Sequence, residues 1–279
     1  MLIGFIDYFL DEWHANNYPT WLKEIDPDCQ VAYAYAVTDH PDGGLTTDAW
    51  CEKNGVTRCL TMEELVEKSD AVVVLSPDHC DLHEALCQVA LRSGKPVYID
   101  KTFSPNLAMG KRIFDLAEKH NTPCYSTSAL RFADEYKALD TDRITGITSI
   151  GGSIPEMYVI HQLEPVMMLM KTQAKRVMAL SSPEFYAYTV EFNDGRVVTL
   201  NQFQQGIPFT LNVAYKDGGA VVANAKSDFF KVFTANLAHF FKTGEIPVSH
   251  TETLQIMAVR EAALKALSLP GQWILVEQV

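Results

Sequence analysis

The chain has 279 residues, of which 47% are hydrophobic and 21% charged, with 15 glycines and 13 prolines. That composition supports a sizeable core and excludes a disordered, collagen-like or cysteine-stapled chain; at roughly 150 residues per domain it predicts two domains. Twenty-three Lys and Arg against 35 Asp and Glu leave a net charge of −12, which argues against nucleic acid or an anionic membrane as partner and leaves a small-molecule substrate as the expectation.

The opening Met1-Leu2-Ile3-Gly4-Phe5-Ile6-Asp7 has no basic leader and no small-residue cleavage site, so no signal peptide is expected. No apolar run reaches the ~18 residues of a membrane span, and the expected location is cytoplasmic. The six cysteines, at 29, 51, 59, 80, 87 and 124, form no CxxC pair, and buried free thiols are expected.

In chain order, Leu2 to Ile6 reads as a first strand and Trp13 to Ile25 as a helix disturbed at Pro19. Val31 to Val37 is a second strand, and a short helix ends at Gly55. Thr61 with Glu64 makes a capping box for the next helix. Ala71 to Leu75 is a continuous apolar run, as in a buried parallel strand. His79 to Ser93 reads as one helix stopped by Gly94, and Pro96 to Ile99 as a strand. Ser104-Pro105 reads as a cap and first turn of a helix to about Lys119, and Cys124-Tyr125 as a sixth strand. This βαβ alternation predicts an α/β fold with a Rossmann-like doubly wound parallel sheet over residues 1–126.

Residues 127–279 read differently. Ile144 to Ile150 is a strand and Tyr158 to Lys171 an apolar helix. Strands follow at Val177 to Leu180, Phe185 to Phe192, Arg196 to Gln204, Thr210 to Tyr215 and Ala220 to Val222. Asn193-Asp194-Gly195 and Lys216-Asp217-Gly218-Gly219 are hairpin turns. Two helices, Phe229 to Phe241 and Thr251 to Leu267, and a last strand, Trp273 to Val276, complete a second α+β domain built on a mainly antiparallel sheet.

Ser76-Pro77, His83, Ala90-Leu91 and the run Gly94-Lys95-Pro96-Val97-Tyr98-Ile99-Asp100-Lys101 together resemble the signature of the Gfo/Idh/MocA oxidoreductase family. Ala129-Leu130-Arg131-Phe132 is similar to that family's R-F segment, and His161 with Glu164 to its H-x-x-D motif. The resemblance implies an enzyme that oxidises or reduces sugars, polyols or related compounds with NAD or NADP. It also implies a homo-oligomer, with Lys101 in the place of the catalytic lysine. The departures are Asp100 for Glu, Thr102 for Pro, two extra residues between Pro77 and His83, and Met157 for an aspartate. The largest lies after the first strand, where Asp7, Phe9 and Glu12 stand at the glycines of G-x-G-x-x-G. Those glycines make a tight turn and let a pyrophosphate approach the helix; acids there compete for the same helix N-terminus.

The candidate catalytic residues are therefore Lys101, His161 and Glu164, with Glu164 expected to fix the imidazole tautomer. The candidate cofactor contacts are Asp39 (ribose, or simply a turn residue), Pro77, His83 and Asp100. Asp100 either orients Lys101 or caps the next helix. Arg131 could bind an anionic group or pair with Glu135, and Trp13 could line a sugar pocket or pack. The acids and histidines near the first loops match no metal spacing, and no metal is assigned. The lead expectation is an oxidoreductase acting on a hydroxy compound. The alternatives are a lyase, hydrolase or isomerase, or a non-catalytic binding protein, on the same scaffold with the dinucleotide site lost.

Overall fold

A computed structural model describes residues 1–279. The chain divides into two compact units, Met1–Thr127 with Lys231–His250, and Ser128–Phe230 with Thr251–Val279.

The first unit carries β1 (Leu2–Asp7), α1 (Trp13–Ile25), β2 (Gln30–Ala36), α2 (Thr47–Asn54), β3 (Thr57–Arg58), α3 (Met62–Lys68), β4 (Ala71–Val74), α4 (His83–Cys87), β5 (Val97–Ile99), α5 (Leu107–Lys119) and β6 (Cys124–Tyr125). The six strands are parallel, in the order β3-β2-β1-β4-β5-β6. All four residues of β4 are buried, as its unbroken apolar run requires when helices cover both faces. Helix α1 passes through Pro19 without a break; its buried Ala15, Tyr18 and Leu22 hold it against the core despite the missing N–H.

Two expectations are corrected here. The stretch from His79 to Ser93 is not one helix: a 3₁₀ turn at Cys80–Leu82 absorbs the extra residues before His83, and another at Ala90–Arg92 tightens the end before Gly94 (φ 74°). The cap of α5 is Asn106, whose side chain accepts from Met109 N at 2.9 Å, while Ser104 Oγ donates to the Asn106 carbonyl.

The second unit carries α6 (Asp134–Lys137), β7 (Ile144–Gly152), α7 (Pro155–Met170), β8 (Ala174–Ser182), β9 (Phe185–Phe192), β10 (Val197–Phe203), β11 (Thr210–Tyr215) and β12 (Ala220–Asn224). Helix α8 (Phe229–Thr243) comes next in the chain, belonging from Lys231 onward to the first unit, and α9 (His250–Leu267) and strand β13 (Ile274–Leu275) complete the second. The sheet runs β12-β11-β7-β10-β9-β8-β13, antiparallel except where β7 meets β10. Hairpin turns place Gly195 and Gly218 at φ 85° and 84°, which L residues rarely adopt. Buried and open positions alternate along β9 and β10, so one face of the sheet is packed. The last strand extends the sheet at the β8 edge, with Ile274 opposite Val177.

The segment Lys231–His250 groups with the first unit, whereas a division at 126/127 assigns it to the second half. Its apolar side chains find their partners there. Phe233 lies 5.7 Å from Tyr18 and 5.5 Å from Tyr98 between ring centroids, and Phe240 lies 4.7 Å from Tyr125. All six cysteines are free, and Cys80 alone is not fully buried. No helix is long and apolar enough to cross a membrane.

Candidate functional site

The strand order reverses between β1 and β4, and in open parallel sheets ligands sit beyond the carboxyl ends of the strands at that point. The loops after β1, β4 and β5 therefore define the candidate site of the first unit.

The loop after β1 is filled by its own side chains. Glu12 is the N-cap of α1, and its carboxylate accepts from His14 N at 2.7 Å and from Ala15 N. Those are the orphan donors of the first turn, the groups that bind a phosphate in a glycine-rich loop. Burial pushes the Glu12 carboxyl up from 4.5 to about 7. Asp7 is buried; its Oδ1 accepts from Tyr8 N at 2.6 Å and its Oδ2 has no partner. Burial, reinforced by the Glu12 charge, holds Asp7 well above the usual carboxylate range. Phe9 packs edge-on against His40 (4.7 Å) and Tyr8 against His79 (5.1 Å), so aromatic rings continue the plug. Asp11 accepts from Leu45 N and Asn16 Nδ2.

Behind this plug, His14 Nδ1 meets Asp100 Oδ2, and Tyr18 stacks on the His14 ring at 5.3 Å and 7°. Asp100 is fully buried, with Tyr98 Oη 3.2 Å from its Oδ1. Burial alone would raise the Asp100 carboxyl; the His14 ring, then Lys101 and His83, outweigh it and keep it below its ordinary value, hence ionised. The partner of Asp100 is thus His14, not the next helix.

Lys101 follows directly at the carboxyl end of β5, half-buried, with a cis peptide bond to Thr102. His83 is fully buried and its Nδ1 lies 3.0 Å from the Phe103 carbonyl, tying α4 to the loop after β5. Burial lowers its pKa. Pro77 is half-buried, next to Ser76 at φ 82°. Asp39 is exposed, and its Oδ1 accepts from both Thr47 N (2.7 Å) and Thr47 Oγ1 (2.9 Å), anchoring the start of α2. Trp13 is half exposed, edge-on to Trp21 at 5.4 Å.

In the second unit, His161 lies on α7 with Ser128 Oγ 2.7 Å from its Nδ1 and the Tyr158 and Phe209 rings beside it. Glu164 is buried and ion-paired with Arg131 at 3.3 Å, and Glu252 also contacts Arg131. Of the two alternatives for Arg131, the pair with Glu135 is not formed: Glu135 accepts from Ser227 N and Oγ. Glu164, three residues from His161 on the same helix, thus has a buried guanidinium as a partner.

The sequence thus flagged Lys101 and Asp100 and missed their neighbour. His14 lies 86 residues from Asp100, and only the β1-β4-β5 order joins them. The spacing of Glu12 to Ala15 was the one local signal, an acid three residues before its backbone donor.

Residues 30–128 match a family model described as an oxidoreductase family with an NAD-binding Rossmann fold. A comparison with curated proteins finds no match. Among solved structures, a probable dehydrogenase from Thermotoga maritima superposes with a TM-score of 0.81 at 17% identity, covering 99% of each chain. The scyllo-inositol dehydrogenase of Lactobacillus casei with bound NAD(H) and scyllo-inositol gives 0.81 at 15%, covering 99% of this chain and 98% of that one. Myo-inositol 2-dehydrogenase from Lactobacillus plantarum gives 0.79 at 13%, covering 99% of each. At these identities the structures speak for the fold, and the family model covers about a third of the chain, from β2 to the end of the first unit's continuous stretch.

Proposed function

We propose that the protein is an enzyme of this scaffold acting on a sugar, polyol or related hydroxy compound by proton transfer, with no dinucleotide held at the first loop. In the first unit Lys101 is the proposed group for the hydroxyl proton, with its ammonium N–H to offer; in the second unit His161 is a proposed proton-transfer group, with a ring nitrogen to offer. Trp13 offers an open aromatic face for a sugar ring. Arg131 is held between the two carboxylates of Glu164 and Glu252, so the proposed part of Arg131 and Glu164 is to hold α7 in place and not to meet an anionic substrate.

The observation that carries this reading is the Glu12 carboxylate on the first-turn N–H groups of α1. A pyrophosphate needs those donors, and it would also meet Asp7 and Asp11 nearby. The residues present do not fit a dinucleotide in the pose that a glycine-rich loop gives it. Pro77, His83, Asp39 and Asp100 are then framework around the site: His83, Asp39 and Asp100 each have a protein partner.

A second reading, an NAD- or NADP-dependent oxidoreductase acting on a CH–OH group, is favoured by the NAD-binding description of the matched family. It requires Glu12 to leave the first turn. Calorimetric titration of the protein with NAD, NADP and their reduced forms separates the two. The first reading expects no saturable heat at millimolar dinucleotide, and tight binding of any of the four would overturn it.

A further inference from the structure

We propose that His14 and Asp100 form an acid–base dyad in the first unit, in which His14 Nε2 exchanges a proton with the hydroxyl of a bound ligand and Asp100 positions the ring. This deepens the proton-transfer reading above and rests on it, by naming a base that the family resemblance does not supply.

Asp100 accepts at Nδ1, which fixes the ring proton there and leaves Nε2 as the basic atom. Asp100 itself is fully buried, with Tyr98 Oη, which also reaches the Thr127 carbonyl at 2.9 Å, lying 3.2 Å from its Oδ1, whereas the His14 side chain keeps 11% of its surface exposed. A buried acceptor behind a partly open imidazole is the arrangement of a positioned base, because the carboxylate orients the ring and stabilises the imidazolium that forms. Tyr18 stacks parallel on the ring and limits its rotation. Asp7, buried and with one carboxyl oxygen unpartnered, faces the same cluster. The cluster also contains Glu12, Lys101 and His83. In the step, the ligand O–H bond breaks, its proton joins Nε2 and the electron pair stays on oxygen; the reverse returns the proton. Asp100 is ionised and Glu12 already occupies the first-turn N–H groups of α1, which disfavours a phosphorylated ligand, so the ligand class is an uncharged or cationic hydroxy compound.

Carbethoxylation by diethylpyrocarbonate, mapped by mass spectrometry on the folded protein, tests this. The reagent attacks a neutral imidazole nitrogen. His14 is expected to react, with a rate that rises with pH along a single titration. Asp100→Asn is expected to slow it about ten-fold, equivalent to about 1.4 kcal/mol, and to shift the profile; Asp100→Glu is expected to restore part of the rate. Millimolar inorganic phosphate is expected to leave the rate unchanged. A His14 that reacts only after unfolding, an Asp100→Asn rate and profile equal to wild type, or protection by phosphate would overturn the proposal. If Asp100→Asn does not fold, ¹⁵N NMR of the wild-type ring decides: Nδ1 protonated and Nε2 titrating supports the dyad, and the opposite tautomer refutes it. None of these readouts involves a dinucleotide, so a protein that binds NAD yet keeps an Asp100-dependent His14 separates failure of the functional reading from failure of the dyad.

Discussion

Glu12 does the work at the residue scale, because one carboxylate both caps α1 and closes a phosphate site. Its folded pKa, about 7 against an ordinary 4.5, has a consequence for stability. Between those values the unfolded chain gives up the proton while the folded chain keeps it, so this group makes the protein less stable as pH rises through the window. Asp7, also held high by burial, acts in the same direction. Asp100, held low, acts oppositely, losing its contribution only as pH falls through its own depressed value. Glu12→Gln keeps an oxygen for the cap and removes the titration. Urea denaturation at steps between pH 4.5 and 7 should then give a shallower fall in unfolding free energy than wild type; an unchanged slope would mean that Glu12 is not buried as described.

The elements were legible wherever a local rule governs them. The apolar run of β4, the glycine-marked hairpins at Gly195 and Gly218 and the Thr61 cap of α3, which accepts from Glu64 N at 3.1 Å, all follow from short-range chemistry. The start of α5 was misread because Ser104-Pro105 and Asn106 are both good cap sequences, and only the backbone path chooses Asn106. Removing that cap should cost about 1 kcal/mol; Asn106→Ala and Thr61→Ala, compared with wild type by urea unfolding, should each lose stability of that size. The α4 region failed for a related reason. Periodicity cannot tell an α-helix from the 3₁₀ turns that bracket it once extra residues must be absorbed. The His14–Asp100 pair and the Arg131–Glu164–Glu252 group were illegible because strand order and helix packing, not spacing, assemble them.

For the whole molecule, the fold of the solved dehydrogenases is matched over 99% of the chain at 13 to 17% identity, while the end of β1 and the loop after it carry Asp7, Phe9 and Glu12 and no glycine. Sheets and helices tolerate such drift when apolar patterning is kept, but a pyrophosphate site depends on a few glycines and has no such latitude. The return of Lys231–His250 to the first unit shows how the Rossmann core is completed from outside its continuous stretch. Phe233, fully buried against Tyr18 and Tyr98, should therefore matter to that core: Phe233→Ala should cost about 3–5 kcal/mol in urea unfolding. The central claim, that the chain's own carboxylate occupies the anion site of α1, is tested most directly by a crystal soaked in NADH. Glu12 should remain bonded to His14 N and Ala15 N, with no dinucleotide beside them. A pyrophosphate on those two N–H groups, with Glu12 turned away, would contradict it.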